Sequence, residues 1–349
     1  MSTARNTLKV FLQLDKCVLL SLLLLSVFLI YLVSDQINWW EGNPNYSFGY
    51  IVPMFLFFII YDRWSQLINI WSGRSNVKPY SIVESPLIVK IFSFLAIIGL
   101  FLGLFFIFFS GLVRTTQGSS PSASLALSVG FAGFSLSLIY LVNKYEIDGS
   151  PLSHTHRLKL VSLFLFPSTI WLISAPLLNS IETQLNLFLM DKIAFLVSVT
   201  FNALAVPLTQ EGNILVFPNQ ERVGVEEACS GIRSLTGCIF SGAFLGAVFL
   251  NHLWKKILLL ICAVILASMT NYIRSFVLTL LCFQNGSQVL EEKVFGMTLH
   301  DFTGYVVLGL TTIGLLCIVP ILNIRNIIQE RYEKLIRGNN QINSENLSV

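Results

Sequence analysis

The stretch Val225-Glu226-Glu227-Ala228-Cys229-Ser230-Gly231-Ile232-Arg233-Ser234-Leu235 puts a thiol, two carboxylates and a guanidinium where a polar segment runs into a hydrophobic one. A thiol at the start of a helix senses the positive end of the macrodipole, which favours the thiolate. Ser230-Gly231 lets the backbone turn tightly and leaves unpaired N–H groups near any oxyanion formed there. Cys229 therefore has the surroundings of a nucleophile, and such chemistry also needs a base and a charge stabiliser. Two later positions offer them. Arg274 lies in Asn271-Tyr272-Ile273-Arg274-Ser275-Phe276, inside a hydrophobic run, and His300 lies in Leu299-His300-Asp301-Phe302-Thr303-Gly304, at the mouth of the next.

Each of these residues also has a plainer reading. An arginine in an apolar helix costs about 2.5 to 3.5 kcal/mol on insertion scales. Arg274 either snorkels to the headgroups or serves as the cation that stabilises a thiolate or oxyanion. His300 is either a capping or solvated loop residue or the acid/base partner of Cys229. Of the four histidines it alone is expected on the outer face; His154, His156 and His252 fall in expected cytoplasmic loops. Arg233, four residues after Cys229, shares its helical face and is expected to pair with Glu226 or Glu227, with binding of a substrate carboxylate as the other role. Ser230, Gly231 and Asn271 complete the supporting set. An intramembrane glutamate protease of EExxxR type is excluded, because its arginine would fall at Gly231.

These residues must be positioned within a membrane. The 349-residue chain is 54% hydrophobic and 12% charged, with mean hydropathy +0.72; ordinary soluble domains carry about 25% charged residues. Its apolar runs are continuous and approach or exceed the roughly 20 residues that cross a bilayer, which selects helices over a membrane barrel. Cys17, Cys229, Cys238, Cys262, Cys282 and Cys317 lack metal-ligand spacing, and all but Cys229 sit in hydrophobic runs, so neither disulfides nor a metal is expected. No cofactor and no nucleic-acid partner is expected either.

Eight spans are expected, at about 17–33, 47–61, 89–113, 124–142, 158–178, 231–250, 254–283 and 301–324. The first reads as an uncleaved helix, since no small-residue cleavage site follows it. Segment 181–206 mixes leucines with Glu182, Gln184, Asn186, Asp191 and Lys192 and reads as an interfacial helix. With eight spans, 16 of the 22 basic residues fall on the cytoplasmic side: Arg5, Lys9, Lys16, Arg63, Arg74, Lys78, Lys90, Lys144, Arg157, Lys159, Lys255, Lys256, Arg325, Arg331, Lys334 and Arg337. A ninth span would invert everything after it. Both termini are therefore expected inside, with Cys229, Arg274 and His300 at the outer face. Residues 212–217 and 222–225, around Pro218-Asn219-Gln220, read as a small hairpin or an irregular loop leading to Cys229. The expected architecture is an all-α integral membrane protein, a single polytopic domain over 1–338, with a disordered cytoplasmic tail at 339–349.

The chain resembles the exosortase/archaeosortase family of membrane cysteine transpeptidases. Ala228-Cys229-Ser230-Gly231-Ile232-Arg233-Ser234 carries the specific part of the match. Around it stand the arginine of Asn271-Tyr272-Ile273-Arg274, the histidine followed by Gly304, and Tyr46-Ser47-Phe48-Gly49-Tyr50-Ile51-Val52-Pro53, which has Phe48 where the family often has histidine. The resemblance implies a triad of Cys229, Arg274 and His300. It also implies exported protein substrates bearing a C-terminal sorting signal (a short motif such as PEP, a hydrophobic helix, a basic cluster), a thioester intermediate and transfer to a surface acceptor, all within a setting of membrane lipids. Two other functions fit the residues: a cysteine protease without transfer, and a transporter or lipid-handling protein whose Arg274 and His300 bind an anion. Transporters usually show repeated halves with polar residues near the midplane, whereas these gather toward one face.

Overall fold

The computed structural model describes residues 14–74, 84–224 and 231–346, with backbone alone at Pro44, Gly231, His300 and 324–346. It is helical, and it divides into two compact units, Met1–Asn186 and Leu187–Val349. Glu226, Glu227, Cys229 and Ser230, singled out from the sequence, lie outside the described residues.

The first unit holds α1 (Lys16–Gly42), a 3-10 turn (Pro44–Ile51) leading into α2 (Val52–Trp71), then α3 (Pro86–Gln117), α4 (Pro121–Val142) and α5 (His154–Ser174). Serines set several helix starts. The Ser85, Ser120 and Ser153 side chains accept from the backbone N–H groups of Ile88, Ala123 and His156, and prolines at the first helical position of α3 and α4 lose no hydrogen bond. His154 and His156 thus open a helix instead of lying in a loop. The α3–α4 contact is built on small residues: a Cβ on Gly103 would stand 2.5 Å from the Phe134 nitrogen, and one on Gly130 would stand 2.8 Å from the Gly103 oxygen. Such backbone approach is how membrane helices gain packing without a hydrophobic drive between them.

Polar residues inside this apolar unit pair with one another. Gln36 donates to Ser128 Oγ and the Trp171 carbonyl and accepts from Ser174 Oγ, while the buried Asp35 pairs with Arg114. In hydrocarbon each such group would otherwise be costly; the Gln36 bonds satisfy its amide and fix helix register, and Asp35 and Arg114 offset each other's charge as an ion pair.

Helix α6 (Asn179–Ala203) contains the unit boundary. Among the described residues nine helices are long and apolar enough to cross a membrane, α6 included, where the sequence predicts eight spans and an interfacial segment. The difference arises because α6, taken by length and composition alone, is long and apolar enough despite its polar residues. Asn45 and Tyr46 donate to Glu182, and Lys192 pairs with Asp191.

In the second unit, Met190, Ile193, Ala194, Val197 and Phe201 form one helical stripe of α6. It packs with Leu208, Leu215 and Val223 and with Leu278 and Cys282 of a later helix. Strands β1 (Thr209–Glu211), β2 (Ile214–Val216) and β3 (Arg222–Gly224) make an antiparallel sheet in which Leu215 pairs with Val223. Strands β2 and β3 are the expected hairpin; β1 is an addition, joined to β2 through Gly212 at φ 66°. Then come α7 (Gly231–Phe249), α8 (Leu253–Asn285), a 3-10 turn (Ser287–Glu291), a two-stranded hairpin of β4 (Lys293–Val294) and β5 (Met297–Thr298), and α9 (Leu299–Asn346). Helices α7, α8 and α9 pack pairwise against one another. Where the sequence suggests disorder from Asn339, the α9 backbone continues helical to Asn346.

Candidate active site

The candidate site lies where the start of α7, the last third of α8 and the start of α9 come together. Arg274 is only 6% exposed. Its Nε donates to Thr303 Oγ1 at 3.1 Å. A Cβ added to Gly304 would lie 3.6 to 3.9 Å from the guanidinium atoms, so the group rests against the glycine backbone of α9. The snorkelling reading is therefore replaced: Arg274 points into the bundle and is anchored to the neighbouring helix. Asn271, one turn earlier, and Ser275 are buried beside it.

His300 is the second residue of α9, three before Thr303 and four before Gly304. That spacing places it on the helical face shared by the two residues that meet Arg274. The helix start is held by a reciprocal cap. Asp301 N–H donates to Thr298 Oγ1 at 3.1 Å, and Thr298 Oγ1 donates to Asp301 Oδ2 at 2.9 Å. Thr298 is thus the N-cap of α9, with its hydroxyl also bonded to the Asp301 carboxylate, and this Thr-x-x-Asp pair brackets His300 in sequence. Thr303, the hydroxyl that fixes Arg274, gave no signal in the sequence, because its role depends on how α8 and α9 pack.

The expected pairing of Arg233 with Glu226 or Glu227 lies outside the described residues. Among the described residues the partner of Arg233 is Asp301, Nη1 to Oδ1 at 3.4 Å, on partly exposed side chains. The acidic residue sits in the first turn of α9, where the helix dipole also favours it. Arg233 Nε is buried with no partner among the described residues. The Arg233–Asp301 pair ties the start of α7 to the residue after His300, and the Arg274–Thr303 bond ties α8 to the same turn. Segments bearing Arg274 and His300 are thus brought together, and α7, which begins two residues after Cys229, is fastened to them. Cys238 and Cys282 are fully buried packing residues, as the sequence suggests.

A multi-pass helical membrane protein with a buried arginine fixed beside the head of a neighbouring helix is the class this arrangement defines. Comparison with known families makes it specific: the transmembrane exosortase (EpsH) family matches residues 39–317, and the chain belongs to it. Membership gives the chain a transpeptidase-type sorting role at the membrane and cysteine-type peptidase or transpeptidase chemistry. No curated protein and no solved structure matches the chain.

Proposed function

We propose that Cys229, Arg274 and His300 act together as the catalytic groups of a membrane cysteine transpeptidase. Its substrates would be exported proteins whose C-terminal sorting signal ends in a hydrophobic helix and a basic cluster. The observation that carries this reading is the anchored guanidinium of Arg274, buried against Gly304 one helical turn from His300. A buried cation costs several kcal/mol to place, and stabilising a thiolate and then an oxyanion is a use that offsets that cost.

In the proposed reaction the Cys229 thiolate adds to the scissile carbonyl, and Arg274 balances the charge that develops on oxygen. Collapse of the tetrahedral intermediate breaks the C–N bond; His300 gives a proton to the departing amine, leaving a thioester on Cys229. An acceptor nucleophile then adds to the thioester, loses its proton to His300 and releases the thiolate. Water in place of the acceptor gives hydrolysis, and exclusion of water favours transfer. Arg233 and Asp301, with Glu226 and Glu227 close in sequence, position the start of α7. Both termini are proposed to be cytoplasmic and the site extracytoplasmic, in keeping with the distribution of lysine and arginine.

The test is co-expression with a tagged substrate bearing such a signal, comparing Cys229→Ala, Arg274→Ala, His300→Ala and Cys238→Ala. The first three should abolish processing and the fourth should leave it near normal. Adding an amine nucleophile should capture the acyl group in the parent protein. Processing that survives Cys229→Ala at a comparable rate refutes the proposal.

A further inference from the structure

Among the described residues no large apolar side chain is more exposed than Phe295, at 87%. It stands at the tip of the β4–β5 hairpin, in which Lys293 pairs with Thr298 and Val294 with Met297. The two tip residues, Phe295 and Gly296, both have positive φ, 52° and 84°. That is the pattern of a type I′ turn, whose first central position ordinarily takes Asn, Asp or Gly. A bulky residue is an outlier in this backbone conformation, so the turn itself does not call for an aromatic there.

The tip is folded along α9 and not away from it. Leu299 N–H donates to the Glu292 carbonyl at 2.8 Å, which ties the base of the hairpin to the first residue of the helix. The Phe295 ring lies 5.8 Å from the Phe302 ring, centre to centre. Phe302 falls within Asp301–Asn323, the part of α9 long and apolar enough to cross a membrane. An aromatic that precedes the helix in sequence thus stands beside the first turn of the span. The face that Phe302 occupies says what surrounds it. At helical spacing it opens a row with Val306, Leu310 and Ile313, which are 43%, 57% and 59% exposed. An exposed apolar row on a spanning helix meets lipid hydrocarbon. The buried Val307 and Thr311 mark the side of α9 turned into the bundle. Polarity along the hairpin follows the same direction: Glu291, Glu292 and Lys293 are exposed at its base, and Phe295 and Met297 are exposed at its tip. Aromatic rings at headgroup level with charges left in water are the distribution of an interfacial segment. Two carboxylates and one ammonium give the base no positive excess, so contact with hydrocarbon is the drive and attraction to anionic lipid is not.

We propose that the β4–β5 hairpin is a membrane anchor, in which Phe295, backed by Phe302, sits just below the lipid headgroups of the leaflet where α9 starts. It fixes the depth of the first turn of α9, the turn that carries Asp301 and Thr303. The anchor depends neither on the chemistry assigned to Cys229 nor on which membrane face α9 starts from.

The test uses full-length protein lacking native cysteines, with a nitroxide on Phe295→Cys, Glu291→Cys or Tyr305→Cys, reconstituted into phosphatidylcholine vesicles. Relaxation by oxygen reports hydrocarbon, and relaxation by a water-soluble nickel chelate, present on both sides, reports water. Oxygen should dominate at Phe295 and the chelate at Glu291. Phe295→Asn suits the turn better and should keep its melting temperature in detergent. In vesicles it should nonetheless shift the label at Tyr305, a 60% exposed residue, toward the chelate. Dominance of the chelate at Phe295, a label there shielded from both agents by polypeptide, or a Tyr305 label unmoved by Phe295→Asn overturns the proposal. If removal of the native cysteines unfolds the chain, a photoreactive phenylalanine analogue at position 295 of the parent sequence decides the matter. A crosslink to phospholipid is the expected result, and a crosslink to polypeptide, or none to lipid, overturns the proposal.

Discussion

Replacing Thr303 with valine separates the anchoring of Arg274 from the presence of its charge. The substitution keeps the shape of the side chain and removes the oxygen that accepts from Arg274 Nε at 3.1 Å. Hydrogen bonds to charged groups contribute about 1.5–3 kcal/mol, more than neutral ones. Arg274 is 6% exposed, so water does not replace the lost acceptor. If that whole contribution serves to hold the guanidinium where the oxyanion develops, processing should fall roughly ten- to hundredfold, at tenfold per about 1.4 kcal/mol. The assay is pulse-chase processing of a tagged substrate in cells, with the melting temperature of each purified variant measured alongside. Thr303→Ser, which restores the hydroxyl, should recover most of the rate, and Arg274→Lys should not, because an ammonium lacks the planar Nε donor. Wild-type processing by Thr303→Val, in a background where Arg274→Ala is inactive, would refute the idea that this hydroxyl orients the cation.

The Arg233–Asp301 pair joins side chains 35% and 41% exposed, so Asp301→Asn should cost no more than about 1 kcal/mol in melting experiments. The Arg233→Asp, Asp301→Arg exchange should recover processing better than either single change; equal loss in all three would show that the pair does not position α7. Glu84 accepts from the Thr155 hydroxyl and from the N–H groups of Thr155 and His154. Burial raises its pKa, but those bonds outweigh burial and hold it below the ordinary carboxylate value. Its contribution to stability is therefore present above the unfolded pKa and lost as pH falls through the folded one. Glu84→Gln should flatten the acid limb of a plot of melting temperature against pH, and an unchanged limb would count against this. Single cysteines at Ser287 and Gln329, in a background lacking native cysteines, should label from the outside and the inside respectively with an impermeant maleimide; the reverse pattern would overturn the proposed orientation.

Much of the fold was legible because the membrane imposes one rule, that every backbone polar group be satisfied within its own segment. Long apolar runs therefore marked the helices, and the ends of α4, α7 and α8 fall within a few residues of the expected positions. What stayed hidden depends on partners distant in sequence. Gln36 reads as one polar residue in an apolar helix until Ser128, Trp171 and Ser174 supply its bonds. Asp35 likewise gives no hint of Arg114. At the site, residue types pointed to Arg274 and His300, but the hydroxyl of Thr303 and the pairing of Arg233 with Asp301 follow from how α7, α8 and α9 meet. The hairpin of β4 and β5 was missed because four strand residues around Phe295-Gly296 are too short for any periodic signal.

The side of the membrane proposed for the site depends on whether α6 crosses. Helix α6 has 25 residues, about 37 Å at 1.5 Å per residue, enough to cross a hydrocarbon core of about 30 Å. If it crosses, every later helix reverses. Lys255, Lys256 and the basic residues after Arg325 would then lie outside, at odds with the charge bias that orients helical membrane proteins. Its charges argue the same way. Asp191 and Lys192 lie at the middle of the helix with side chains 50% and 58% exposed, paired to each other at 3.1 Å. Such a pair at the centre of a span would face lipid, whereas in a helix lying along the interface it is simply hydrated. Charge distribution and local exposure thus favour the interfacial arrangement over the one that length alone permits, and labelling at Ser287 tests it directly.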